Sequence, residues 1–146
     1  MMTKETEELK KCCLYASEFH LEMILLPFIR EKNNKVEFII FTQNDLSKTI
    51  NMLLDRVNIN KEEKQKILNY NWKKYKEIDI EKIFNNKENI EVIVNGDCKF
   101  IEEINYKIKQ YNSRVNIIDC FYVNDADLEI NNIKHKYDIF LNTTKI

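Results

Sequence analysis

The chain of 146 residues contains one glycine, Gly96, and this scarcity limits the kinds of site that it can build. Loops that cradle a phosphate need several glycines, because backbone N–H groups must approach the anion with no Cβ in the way. Neither the dinucleotide-binding pattern G-x-G-x-x-G nor the phosphate-loop pattern G-x-x-x-x-G-K-[ST] can be written with a single glycine. The sequence therefore predicts a protein without a glycine-rich nucleotide loop.

The composition indicates one globular domain and does not point to a membrane or a nucleic acid as its partner. Hydrophobic residues make up 44% of the chain, and 23 basic residues nearly balance 24 acidic ones. This balance disfavours nucleic acid and anionic membranes as partners, and no apolar run approaches the ~20 residues of a membrane span. The charged N-terminus lacks the apolar segment of a secretion signal, so a cytoplasmic protein with reduced thiols is expected.

Short apolar runs alternate with segments of helical periodicity along the chain. Five runs are interpreted as strands: residues 12–15, 36–41, 90–94, 115–123 and 138–141. Strands joined by helices require crossover connections, so we expect a three-layer α/β fold, RecA-like or Rossmann-like. Its mainly parallel five-stranded sheet would carry helices on both faces. One domain is predicted over residues 1–146, with a helical insert at about 58–88.

The first helix has a recognisable start and one internal irregularity. Ser17 is predicted to cap a helix that runs towards Lys32, and Pro27 is expected to kink or interrupt it. The apolar stripe expected to face the core consists of Phe19, Met23, Leu26 and Ile29 or Arg30.

The insert is predicted to be helical over residues 61–86 and carries aromatic residues among lysines. Tyr70, Trp72 and Tyr75 in such a setting could stack on nucleic-acid bases, but neighbouring acids dilute the positive charge. We therefore expect these aromatic side chains to seat on the core, and we expect the insert to offer a surface for a partner protein.

In open α/β sheets, ligands collect beyond the carboxyl ends of the strands. These ends supply the predicted ligand-binding residues, which are Ser17, Glu18, His20, Thr42, Asn44, Asp45, Asn95, Gly96, Asp97 and Thr143. The rim is poor in basic residues and suits a small polar molecule, a cation or a partner protein better than a phosphate-rich ligand. Three of its acids, Glu18, Asp45 and Asp97, could hold a cation or a ribose hydroxyl, although helix capping explains the same residues.

No metal site and no cofactor are predicted. The cysteines and histidines lack the C-x-x-C or H-x-x-x-H spacing of metal ligands. Cys12, Cys13 and Cys120 are interpreted as buried hydrophobic residues, while the reactivity of these thiols and of Cys98 stays open.

Several short motifs, spread over most of the chain, occur in a consistent order. They are Cys13-Leu14-Tyr15-x-Ser17-Glu18, Leu25-Leu26-Pro27-Phe28-Ile29, Glu102 or Glu103 with Ile104-Asn105, Ile118-Asp119-Cys120-Phe121-Tyr122, and His135 ahead of Asp138-Ile139-Phe140-Leu141. In this order they resemble MEDS domains, which are sensory domains regarded as degenerate relatives of KaiC/RecA-type ATPases. The resemblance implies a RecA-like core without a working nucleotide loop, used to sense a small molecule and to signal to a partner protein.

Three functions follow from these observations. The first is a non-catalytic sensory or interaction module that binds a small molecule at the strand ends and signals in trans to a partner protein. The second is a small acid/base enzyme, a hydrolase or transferase, that uses Asp97, Glu18 and His20. The third is a structural protein that forms oligomers, for which a homodimer is the simplest case.

Overall fold

The computed structural model of the chain describes residues 10–32, 35–76, 83–84, 89–111 and 115–141. Its elements are, in order, β1 (Lys11–Tyr15), α1 (Glu18–Lys32), β2 (Glu37–Thr42), α2 (Ser47–Leu54), α3 (Lys61–Leu68), β3 (Ile90–Gly96), α4 (Cys98–Tyr111), β4 (Asn116–Tyr122), α5 (Ile130–Lys136) and β5 (Ile139–Leu141). The longest of these helices have 15 and 14 residues. Within the described ranges, no helix is both long enough and apolar enough to span a bilayer.

The five strands form one sheet in the order β2-β3-β4-β1-β5. Every neighbouring pair is parallel, and β4 lies at the centre with β3 on one side and β1 on the other. The predicted α/β fold with a parallel five-stranded sheet is therefore confirmed.

Two hydrophobic cores cover the two faces of this sheet. The first is formed by side chains from α1, α2 and α3, and the second by side chains from α4 and α5. Successive residues of a strand point to opposite faces, so Cys120 belongs to the first core and Phe121 to the second. Cys12, Cys13 and Cys120 are completely buried, which confirms their interpretation as core residues.

Helix α1 begins where Ser17 predicts, but its buried face differs from the expected stripe. The Ser17 Oγ accepts a hydrogen bond from the His20 N–H at 3.2 Å, which confirms the cap, and the helix continues through Pro27 without a break. Phe19 and Met23 are 41% and 37% exposed, so their predicted burial is wrong. The buried residues are instead Leu21, Glu22, Ile24, Leu25, Leu26 and Ile29. The helix packs against both β1 and α2, and this double contact buries a face turned away from Phe19.

The helix predicted over residues 61–86 ends at Leu68, so the prediction is wrong for the described residues 69–76. This segment instead lies beside the end of β2, where the Tyr75 N–H donates to the Thr42 carbonyl oxygen at 2.8 Å. Trp72 is only 3% exposed, and Tyr70 and Tyr75 are partly buried against the first and second cores, which confirms that these aromatic side chains pack on the core. Burial of Trp72 and hydrogen bonds to β2 outweigh the local helical pattern. Residues 77–82 and 85–88 of the predicted insert lie outside the described residues.

Candidate functional site

The predicted strand-end residues of β2 and β3 hydrogen-bond mainly to one another. The Thr42 hydroxyl donates to the Asn44 carbonyl oxygen at 2.8 Å and accepts from the Asn95 Nδ2 at 2.8 Å. Thr42 and Asn95 are buried, and the Asn95 Oδ1 has no hydrogen-bond partner within the described part of the chain. This hydrogen bond joins the carboxyl ends of β2 and β3, and it leaves the Asn95 Oδ1 as a buried acceptor there.

The space beyond Gly96 is occupied by neighbouring side chains. A Cβ placed on Gly96 would lie 2.6 Å from the Phe100 ring and 2.7 Å from the Gln43 Oε1. Asp97 accepts a hydrogen bond from the Phe100 N–H at 2.8 Å, which confirms it as the cap of α4, and another from the Gln43 Nε2 at 3.2 Å. The Tyr75 ring packs on Phe100 with 5.8 Å between centroids. Glycine is needed here because aromatic and amide groups fill the site where a side chain would stand.

The strand order separates Glu18 from the other two acids of the predicted rim, whereas Asp45 and Asp97 follow the neighbouring strands β2 and β3. Glu18 follows β1 and Asp97 follows β3, two positions away in the sheet, which corresponds to roughly 10 Å. Asp45 follows β2, three positions from β1, and accepts from the Ser47 N–H at 2.8 Å as a local turn. The His20 Nδ1 accepts from the Ala16 N–H at 2.9 Å. Thr143 lies outside the described residues, and the strand-end ligand site as a whole stays a prediction.

A cavity of about 530 Å³ lies on the second face of the sheet, between α4 and α5 and above β4. Its floor carries apolar side chains from the sheet and from α4, and its rim carries charged and amide groups. We call this space the α4–α5 cavity. It is bounded by Lys10, Cys98, Ile101, Glu102, Asn105, Lys109, Val115, Asn116, Ile117, Asp119, Phe121, Asp127, Leu128, Glu129, Asn132, Ile133, Lys136 and Tyr137.

Asp119 is the buried acid of the α4–α5 cavity. It is 7% exposed, and it stands in β4 where apolar side chains precede and follow it. Its Oδ1 accepts a hydrogen bond from the Asn105 Nδ2 at 2.8 Å, and its Oδ2 accepts one from the Tyr137 hydroxyl at 2.5 Å. The Asn105 Nδ2 also donates to the Ile101 carbonyl oxygen at 2.9 Å. The carboxylate therefore ties α4 on one side to the residue that ends α5 on the other.

Burial raises the pKa values of Asp119 and Tyr137, the two ionisable groups that meet in the cavity. Desolvation raises the pKa of Asp119, while hydrogen bonds from Tyr137 and Asn105 and the charges of Lys109 and Lys10 oppose that rise. Burial and the neighbouring Asp119 charge raise the pKa of Tyr137, so its hydroxyl remains a proton donor. The Tyr137 hydroxyl and the Asp119 carboxylate, joined as donor and acceptor, therefore form a fixed polar group at the centre of the cavity.

The Asp125 carboxylate lies at the start of α4, at one end of the cavity. Asp125 accepts hydrogen bonds from the Cys98 N–H at 2.9 Å and from the Asp127 N–H at 3.1 Å, and these bonds lower its pKa. Burial, followed by the Asp125 contact, raises the pKa of the Cys98 thiol to about 12. The thiol therefore stays protonated at neutral pH, and an anion would find the first N–H groups of α4 occupied.

Asp119 and Tyr137 are functional candidates that are absent from the predicted set of ligand-binding residues. Asp119 and Asn105 occur in the short motifs that resemble MEDS domains, but the motifs assign them no role. The available signal was a single acid inside the otherwise apolar run of residues 117–121, which requires an explanation because a buried carboxyl group is costly without partners. Its partners come from distant segments, so the sequence alone did not identify them. Comparisons of the chain with family models, curated proteins and solved structures gave no match.

Proposed function

We propose that this protein is a small-molecule-binding sensory module, which holds its ligand in the α4–α5 cavity and acts in trans through a partner protein. The observation that carries the proposal is the buried Asp119 carboxylate, held by Asn105 and Tyr137 beside a cavity of about 530 Å³. Ligand pockets usually have volumes of roughly 300–1,000 Å³ and combine an apolar lining with a few fixed polar groups. The resemblance to MEDS domains points to the same role.

The chemistry of the cavity favours binding over catalysis. Both oxygens of Asp119 accept internal hydrogen bonds, so this group positions its neighbours and is poorly placed to remove a proton from a substrate. The Cys98 thiol is held protonated by burial and by Asp125, which disfavours a nucleophilic role.

A route from ligand to partner is supplied by α5. This helix has seven residues, of which only Ile133 is buried, and it leads into β5, a strand of three residues at the sheet edge. A ligand that contacts α4 and α5 at once would draw the weakly anchored α5 towards the firmly packed α4. We expect the partner protein to recognise the resulting position of α5 and β5.

A thermal-denaturation screen with small polar molecules tests the proposal. A compound present at 100 times its Kd should stabilise the protein by about 2.7 kcal/mol, equivalent to a rise in Tm of roughly 5–10 °C. Asn132→Trp should abolish this rise, because residue 132 lines the cavity and a tryptophan there fills it. Asn131→Trp is the matched control, since the neighbouring Asn131 is also exposed on α5 and lies outside the lining.

Two results would contradict the proposal. One is a screen in which no compound stabilises the protein. The other is stabilisation that is equal in the wild type, Asn131→Trp and Asn132→Trp, because such a compound binds elsewhere.

A further inference from the structure

Apart from the buried Asp119 at its centre, the charged residues that line the α4–α5 cavity are sorted by sign. Helices α4 and α5 each connect the carboxyl end of one parallel strand to the amino end of another, so both run antiparallel to β4. Glu102 in the first part of α4 and Glu129 at the cap of α5 therefore lie towards the carboxyl end of the sheet. Asp127, in the loop after β4, joins them there. This acidic end lines the same cavity as the basic residues described next.

The opposite end of the cavity is basic. Lys109 and Lys136 stand near the ends of α4 and α5, towards the amino end of the sheet. Lys10 immediately precedes β1 and adds a third lysine at this end. On each helix the acid and the lysine are seven residues apart, which is two turns on one face and about 10 Å along the axis.

None of these six charges is held in a close ion pair among the described residues, although Lys10 and Lys109 also act from a distance on the Asp119 carboxylate. Within the ranges that the structure describes, none of them lies within 4.0 Å of an opposite charge, whereas Glu103 and Lys107 on the adjoining face of α4 pair at 3.4 Å. Amide groups stand between the two ends. Asn105 already uses its N–H groups internally, so its Oδ1 can accept from a ligand. The Asn132 Nδ2 donates to the Glu129 Oε1 at 2.9 Å, which leaves its second N–H and its Oδ1 for a ligand.

We propose, on the basis of the proposed function, that the ligand is an extended zwitterion with charges about 10 Å apart, of the class of a free tripeptide. Three residues of extended chain span about 10 Å. The ammonium group would lie among Glu102, Asp127 and Glu129, and the carboxylate among Lys10, Lys109 and Lys136. Peptide N–H and C=O groups would meet the asparagine amides between them. A single amino acid is too short to reach both ends.

Helix dipoles explain part of the same charge pattern. Acids near helix starts and lysines near helix ends stabilise the helices themselves. That explanation does not account for Lys10 and Asp127, which belong to neither helix yet complete the two ends with the matching sign.

Titration calorimetry with free tripeptides tests the inference. Triglycine and a panel of free tripeptides with different side chains should include binders, and blocking either terminus of a binder, by N-acetylation or C-amidation, should weaken binding about tenfold or more. The double variant Glu102→Lys with Lys109→Glu reverses the polarity of α4 at constant net charge and should cause a comparable loss. Glu103→Lys with Lys107→Glu is the matched control, because it makes the same exchange on the face that does not line the cavity, and it should bind as the wild type does.

The outcomes separate the two proposals. The proposal of a zwitterionic ligand is overturned if free and blocked tripeptides bind with equal affinity, or if no free tripeptide binds. If a neutral or singly charged compound then still binds, and Asn132→Trp abolishes that binding, the proposed binding function holds although the ligand is not a zwitterion. If nothing binds in the cavity, both proposals fail.

Discussion

Replacing Trp72 by alanine is expected to lower the free energy of unfolding by about 3–5 kcal/mol, the usual cost of truncating a buried tryptophan. Trp72 is 3% exposed, and its Nε1–H donates to the Ile67 carbonyl oxygen at 2.8 Å. Its own carbonyl oxygen accepts from the Leu46 N–H at 2.8 Å, so it also fixes the segment against the start of α2. Urea unfolding followed by circular dichroism measures the change.

Two further variants make the result specific. Trp72→Phe keeps an aromatic ring in the core but loses the N–H donor, so an intermediate loss of about 1–2 kcal/mol is expected. Tyr106→Ala removes an aromatic ring that is 66% exposed and should change the free energy of unfolding by less than about 0.5 kcal/mol. If Trp72→Ala behaves like Tyr106→Ala, the segment 69–76 does not lie on the core as described.

Replacing Glu22 by glutamine is expected to stabilise the protein at pH 8 by on the order of 2–3 kcal/mol. Glu22 is completely buried between α1 and α2, where Thr49 donates a hydrogen bond to one oxygen and the other oxygen has no partner in the described residues. Burial raises the pKa of Glu22 from 4.5 to about 7. Ionising this carboxyl group in the folded state is therefore costly.

The stabilisation should depend on pH in a defined direction. Between about pH 4.5 and 7 the folded protein retains a proton on Glu22 that the unfolded chain has lost, so the stability that the wild type derives from this group falls as the pH rises. Glutamine does not titrate, so the two proteins should be similar near pH 4 and diverge up to pH 8. Glu31→Gln is the control, because it makes the same substitution at an exposed position of the same helix, outside the core. A difference for Glu22→Gln that stays constant with pH would rule out a buried, titrating carboxyl group.

The fold was accessible from the sequence because its signals are local. Apolar runs identified the strands, and Ser17 and Asp97 marked the helix starts, since a cap needs only a side chain and an N–H three residues later. The predicted helix is wrong for segment 69–76, because hydrogen bonds to Leu46 and Ile67 hold Trp72 in a non-helical segment. Contacts of this kind overrule local propensity.

The candidate site was less accessible because it depends on strand order. The strand-end rule placed Asp45 and Glu18 at one rim, whereas the order β2-β3-β4-β1-β5 sets their strands three positions apart. Asp119 is a candidate because Asn105 and Tyr137 donate hydrogen bonds to its buried carboxylate, and these residues lie 14 and 18 positions away along the chain. Only the packing of α4 and α5 over β4 brings the three together.

Binding of a small molecule in the α4–α5 cavity can be located by NMR. The backbone amide signals of the protein are mapped while a stabilising compound from the screen is added. The largest shifts are expected on Asn105, Asp119 and Tyr137 and on their neighbours in α4 and α5. Shifts centred instead on Asn95 and Gly96 at the strand ends, with the signals of α4 and α5 unchanged beyond the first turn of α4, would contradict binding in this cavity.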